Sequence, residues 1–267
     1  MQTASLGSGS MNRGEFDEMV PLPAAGRVFT ATRRVRLGDA SPAGRLRLDA
    51  CARYLQDVAN DDSRDAGLPN PTAWVARRTV LRVHQFPQYL DMLTLRTWCS
   101  GLGPRWAERR YSITGHDPIT NEPAEHACIE ATTLWVHVDM QTMKPIAVPA
   151  DFASLYGEAA AGRTISARLH LPTRPGDIPT NTTGWPLRFT DFDVLGHVNN
   201  AVYWSMIEEQ MARLRSFRAP FTVTLDHHDA IDVGSEVHVA VADTDAGFDV
   251  WVTTGGGSVG AVARAIR

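Results

Sequence analysis

A gapless offset of 152 residues lays one stretch of this chain over another. Gly44 falls on Gly196, Val35 on Leu187, Arg36 on Arg188, Asp39 on Asp191 and Leu55 on Ile207. A duplicated strand, loop and helix restricts the fold to two copies of one unit, each needing a surface on which to bury its helix. In the first copy Leu48, Cys51, Ala52, Leu55, Val58 and Ala59 recur at three and four residues, one apolar face of a helix. Tyr203, Trp204, Ile207, Met211 and Leu214 carry the same spacing in the second. After each helix the period drops to two. Thr79, Leu81 and Val83, then Leu93, Leu95 and Thr97, alternate with outward residues, Ala127 to Val138 reads as a more fully buried strand, and Val223, Leu225, Val237, Val239 and Val241 repeat the alternation. Two related α+β domains on one chain are predicted.

Composition limits what such a pair can do. The 267 residues hold 26 Lys plus Arg against 30 Asp plus Glu, and 43% are hydrophobic, so the chain has the material for packed cores and lacks a nucleic-acid binder's excess positive charge. No window approaches the roughly 18 apolar residues of a membrane span, and no basic segment followed by an apolar one opens the chain, so a cytoplasmic protein without membrane insertion is expected. Cys51, Cys99 and Cys128 are odd in number and far apart, which argues for buried thiols and against disulfides or a metal site. His84, His126 and His227 show no metal-ligand spacing; the adjacent His227 and His228 are the one pair that stands out. Residues 1–26 read as a disordered extension. Residues 151–184, rich in Pro, Gly, Ala and Thr, read as a linker with one short helix, which leaves 27–150 and 185–267 as the domains.

The chemistry concentrates in Arg188 to Glu209, RFTDFDVLGHVNNAVYWSMIEE. A strand turns through acidic residues and Gly196 and enters a helix near Asn199 or Asn200, either a favoured N-cap. Asp193 and His197 therefore stand just before a helix N-terminus, where backbone N–H groups and the helix dipole favour a developing oxyanion. An acid and an imidazole beside such a terminus suffice to hydrolyse an activated acyl group.

The string DFDVLGHVNNAVY resembles the catalytic loop of hotdog-fold thioesterases, and the duplicated layout over residues 27–267 resembles the acyl-acyl carrier protein (acyl-ACP) thioesterase family. A second motif agrees: in ATTLWVHVDMQTMKPIAVP, Trp135, Asp139, Lys144, Pro145 and Pro149 match that family's first-half strand and turn. The resemblance implies two tandem hotdogs, each a long helix wrapped by a curved antiparallel sheet, the first holding the acyl chain and the second hydrolysing it. It implies Asp193 as base or nucleophile, His197 assisting, and Asp229 in the place of a further acid, within the stretch His228 to Ala230. Gly196, Asn199 and Asn200 would support the loop and oxyanion, with donors near Gly196 and His197, and Leu195, Tyr203, Leu55 and Trp135 would contact substrate. The chain departs from the plant members at Leu195, where they carry Asn, and lacks their Cys beyond the next strand. In the first half the equivalents of Asp193 and His197 are Ser41 and Arg45, so a single active site per chain is expected.

These readings imply hydrolysis of fatty acyl-ACP thioesters without metal or organic cofactor. An acyl-coenzyme A thioesterase and a non-catalytic acyl-binding hotdog protein are the alternatives. Residues 27–150 carry 16 basic and 13 acidic side chains and residues 151–267 carry 9 and 14, so an acidic carrier protein would favour the first half or the seam. Arg77, Arg78, Arg105, Arg109 and Arg110 are the candidate docking residues, and a homodimer is a further expectation.

Overall fold

The computed structural model describes residues 19–68, 73–117, 119–214 and 217–267. The first copy contains β1 (Val28–Arg34), α1 (Leu48–Asp65), β2 (Trp74–Val83), β3 (Met92–Leu102), β4 (Trp106–Gly115) and β5 (Ile129–His137). A connecting segment holds α2 (Ala150–Ala160), and the second copy contains β6 (Thr182–Gly184), α3 (Asn200–Arg213), β7 (Phe221–His227), β8 (Val237–Thr244), β9 (Gly247–Thr254) and β10 (Val259–Ile266). All ten strands form a single antiparallel sheet in the order β1-β3-β4-β5-β2-β7-β10-β9-β8-β6. Each copy supplies five adjacent strands and one long helix, which is the expected α+β tandem hotdog. The short edge strand β6 lies within the stretch expected as linker and stands 152 residues after Thr30–Thr32 of β1.

The copies join where β2 pairs with β7, Val80 opposite Thr224. Along that seam Arg78 donates to both carboxylate oxygens of Asp226, at 2.6 and 2.9 Å, with the two side chains 7% and 0% exposed. Above it α1 lies against α3, and one apolar core runs through both copies, from Leu48, Cys51, Leu55 and Val58 to Tyr203, Ile207 and Met211. Each Leu or Val so buried is worth about 1.5–3 kcal/mol of transfer free energy, so each helix's apolar face gains much of its stabilisation from the other copy. The connecting segment is used as cover: α2 sets Phe152 and Tyr156 against Cys99 and Ala107, and Leu171 and Ile178 close over Trp251, whose Nε1 donates to the Pro172 carbonyl at 2.8 Å.

Of the extension expected at 1–26, residues 1–18 lie outside the described residues. The remainder is anchored, since Arg110 Nε donates to the Val20 carbonyl and a Cβ at Gly26 would lie 2.3 Å from the Ala159 backbone nitrogen. Behind this segment lies a buried polar knot in which Arg27, Arg109 and Tyr156 all hydrogen-bond the Asp62 carboxylate. Three of the five candidate docking arginines are thereby removed from the surface: Arg78 is committed to Asp226, Arg109 to Asp62, and Arg110 to Glu130 and backbone carbonyls. Strand alternation alone does not show that a second layer covers them. Cys51 and Cys99 are buried, Cys128 is partly so, and desolvation pushes the thiols of Cys99 and Cys128 up to about 11. Among the described residues, no helix is long and apolar enough to cross a membrane.

Candidate active site at the head of the second helix

The two loops that precede α1 and α3 share the hydrogen bonds that set their turns. Arg36 N–H donates to Asp39 Oδ2 and Arg188 N–H to Asp191 Oδ2; Ser41 N–H reaches the Arg45 carbonyl at 2.7 Å and Asp193 N–H the His197 carbonyl at 2.9 Å. Gly44 and Gly196 close the turns at φ of +80° and +79°, a region where a Cβ is strained. Asp191, buried at 4%, ties down the loop and is structural. What differs is the chemistry mounted on a common backbone: Ser41 and Arg45 in one copy, Asp193 and His197 in the other.

Asp193 is half-buried, and its Oδ1 accepts the Leu195 N–H at 2.9 Å, so it also caps its own turn. It borders an open depression with Phe189, Phe192, Gly196, Val233 and Gly234. The phenol of buried Tyr203 is pushed up by desolvation first and by the Asp193 charge second. His197 is likewise half-exposed, with Nε2 3.4 Å from Asp232 Oδ1, and the two residues face each other across a short antiparallel bridge. Gly196 N–H is engaged by the Asp193 carbonyl at 3.0 Å, so this group closes the turn. Asn199 is the N-cap of α3, its Oδ1 accepting the Ala201 N–H at 2.9 Å, and Asn200 is the first helical residue.

The remaining expected residues fall in three places. Leu195 sits at the loop tip, 42% exposed beside Val194 at 94%. Leu55, Asn200 and Trp135 line a small cavity under the α1–α3 seam, together with Gln56, Thr79, Thr133, Trp204 and His227. Asp229 is exposed and its Oδ2 accepts from Ser258 Oγ; the structure places Asp232, not Asp229, beside His197. Sequence reasoning missed Asp232 because the gapless offset ends at the helices. Arg45 bridges to Gln88 just as His197 bridges to Asp232, and those partners are 144 residues apart. Eight residues fewer lie between the loop and its bridge partner in the second copy, four of them because α3 has 14 residues against 18 in α1, and only that correction brings Asp232 into line.

The helices exchange contacts as the repeat demands. Glu208 of α3 accepts the Leu48 N–H at the head of α1 at 2.7 Å and pairs with Arg45 at 2.7 Å. Its counterpart in α1, Gln56, donates to Asn199 Oδ1 at the head of α3 at 3.4 Å. The head of α1 is thus filled by an internal ion pair, whereas the head of α3 meets a neutral amide and keeps its acid and imidazole at the surface. His227, also missed, lies at the seam: it is buried, its ring sits edge-on to Tyr203 at 5.3 Å, and desolvation pushes its imidazole down to about 4. Among the described residues, no group of three or more His, Cys, Asp or Glu side chains could hold a metal ion.

The family profile of the acyl-ACP thioesterase N-terminal domain matches residues 26–156, and that of the C-terminal domain matches residues 178–259. An uncharacterized Mycobacterium tuberculosis protein is 28% identical over 235 residues, 88% of this chain and 90% of its own length. A chloroplastic acyl-[acyl-carrier-protein] hydrolase of Cuphea viscosissima is 28% identical over 135 residues, 49% of this chain and 31% of its own. Among solved structures, the 12:0-ACP thioesterase from Umbellularia californica superimposes with a TM-score of 0.72 at 20% identity, covering 91% of this chain and 97% of that one. An acyl-ACP thioesterase from Bacteroides thetaiotaomicron does so with 0.71 at 17% identity, covering 90% and 97%.

Proposed function

Because the chain belongs to the acyl-ACP thioesterase family, we propose that it hydrolyses fatty acyl-ACP thioesters to free fatty acid and carrier thiol at the head of α3. The observation that carries this reading is the contrast between two superimposable loops, of which only the second bears an acid and an imidazole. Asp193 acts as general base: water attacks the thioester carbonyl as its proton passes to the carboxylate, whose Oδ1 is steadied by the Leu195 N–H. The tetrahedral oxyanion forms against the first turn of α3, where the helix dipole favours negative charge. Its collapse breaks the C–S bond, and the thiolate leaves with a proton from His197, whose ring Asp232 orients. The net change is one water consumed, one carboxylic acid and one thiol formed. The first hotdog supplies the acyl cavities, since both that adjoin Trp135 are lined largely from its helix and strands.

The test is single-turnover hydrolysis of palmitoyl-ACP and palmitoyl-coenzyme A by the wild type and by Asp193→Asn. Loss of at least about a hundredfold in the variant, the scale of removing a general base, supports the assignment. Wild-type protein that binds both thioesters and cleaves neither refutes it and leaves an acyl-binding protein. Preferential cleavage of the coenzyme A ester moves the carrier assignment without moving the site.

A further inference from the structure

A groove of 920 Å³ follows α3, which lines it with Val202, Ser205, Glu209 and Ala212 at helical spacing. From Val202 to Ala212 the helix rises by about 15 Å. The near end adjoins the proposed catalytic acid. Asp191, in the lining, accepts the N–H of Asn199, the N-cap of α3, and Arg188 and Thr190 line both this groove and the depression that Asp193 borders. The far end is formed by Phe217 to Ala219, beyond the last turn of α3. The residues that leave the first copy without acid and imidazole, Ser41 and Arg45, also line it.

Positive charge collects away from the near end. The head of α1 meets α3 at Glu208, about 12 Å along the helix from Asn200. There Arg45 is neutralised by Glu208, but Arg47 and Arg53 share the single carboxylate of Asp49. Arg218 donates to a neutral acceptor, the Phe217 carbonyl, at 3.1 Å. The groove's five arginines, with Arg213 at 3.7 Å from Glu209, set six guanidinium groups against four carboxylates, a net of +2 among the described residues. Ser41 Oγ is buried there without a hydrogen bond. An acyl carrier protein and coenzyme A both present their thiol on a pantetheine arm. That arm holds two amides and a hydroxyl and ends at a phosphate about thirteen bonds from the sulfur, roughly 15 Å when extended like a peptide chain.

We infer that this groove holds the pantetheine arm of the thiol carrier and that Arg53 and Arg218 grip its phosphate. This rests on the thioesterase reading and places the part of the substrate beyond the sulfur. With the thioester at the head of α3, an arm laid along the helix brings its phosphate among Arg47, Arg53 and Arg218, whose planar guanidinium groups suit phosphate oxygens. Ser41 Oγ serves an amide of the arm, as donor or acceptor.

Palmitoyl thioesters of pantetheine, phosphopantetheine, coenzyme A and acyl carrier protein separate the possibilities. Wild-type kcat/KM should be at least about tenfold higher for the phosphopantetheine ester than for the pantetheine ester, and Arg53→Gln combined with Arg218→Gln should bring that ratio within about threefold of unity. The coenzyme A and carrier-protein esters bear a phosphate at the same place, so both should lose by a similar factor. Equal wild-type rates with and without the phosphate, or a ratio kept in the double variant, overturn the inference. Loss confined to the carrier-protein ester overturns it too, and makes the groove a docking face for the carrier's own acidic surface. Should no ester be cleaved, the proposed function fails by itself. The inference is then decided by calorimetric affinities for phosphopantetheine and pantetheine, where equal binding refutes it. Both arginines are exposed, so the fold should tolerate the change. If the double variant does not fold, Arg218→Gln alone is expected to lower the ratio and refutes the inference if it leaves the ratio intact.

Discussion

The ion pair of Arg78 and Asp226 offers the sharpest test of how the two hotdogs hold together. It lies on the strands that join them, is bidentate at 2.6 and 2.9 Å, and is almost fully excluded from water. Asp226 Oδ2 also receives the backbone N–H groups of His170 and Leu171 at 3.4 and 3.3 Å, so the same carboxylate draws the connecting segment onto the sheet. Replacing Asp226 with Leu leaves a buried guanidinium without its counter-charge, which costs about 3–5 kcal/mol. For a chain of this size each kcal/mol moves the melting temperature by about 2–4 °C, so a loss on the order of 10 °C is expected. Desolvating both charges consumes most of their attraction, so combining Arg78→Met with Asp226→Leu should cost less than Asp226→Leu alone. Thermal and urea unfolding of the wild type, Arg78→Met, Asp226→Leu and the double variant close the cycle. Additive losses, or an Asp226→Leu variant within about 1 kcal/mol of wild type, would refute the claim that this pair locks the seam.

Two further predictions use other parts of the site. Gly196→Ala places a Cβ at a φ of +79° with nothing within 4 Å, so the penalty is conformational, about 1–2 kcal/mol in urea unfolding; a cost near zero would mean the turn is not held in this form. His227 is neutral in the fold down to about pH 4 and titrates near 6.5 once unfolded. As pH falls the unfolded chain binds the proton first, so stability is intact above about 6.5 and declines toward 4, by roughly 3 kcal/mol in all. That part of the slope should vanish in His227→Gln, and an unchanged pH profile of unfolding would contradict it.

How far the sequence reached can be judged from individual residues. Local features were legible because they depend on neighbours in the chain. The 152-residue repeat, the helical faces of Leu55 and Ile207, the turn at Gly196 and the Asn199 cap all follow from spacing and short-range hydrogen bonding. So did the asymmetry between Ser41–Arg45 and Asp193–His197, since a repeat exposes its own substitutions. Asp232, His227, Gln56 and the buried arginines did not reveal themselves, and they share one cause: each meets a partner far away in sequence. Gln56 reaches Asn199 only because α1 packs on α3. His227 is buried only because β7 pairs with β2, and Arg78 finds Asp226 across the same joint. The sequence thus determined the repeated unit and which copy carries the acid and imidazole. The pairing of the two copies decided which acid faces His197, which arginines are withdrawn from solvent and where His227 is buried, because burial and long-range contact exist only once ten strands have closed into one sheet.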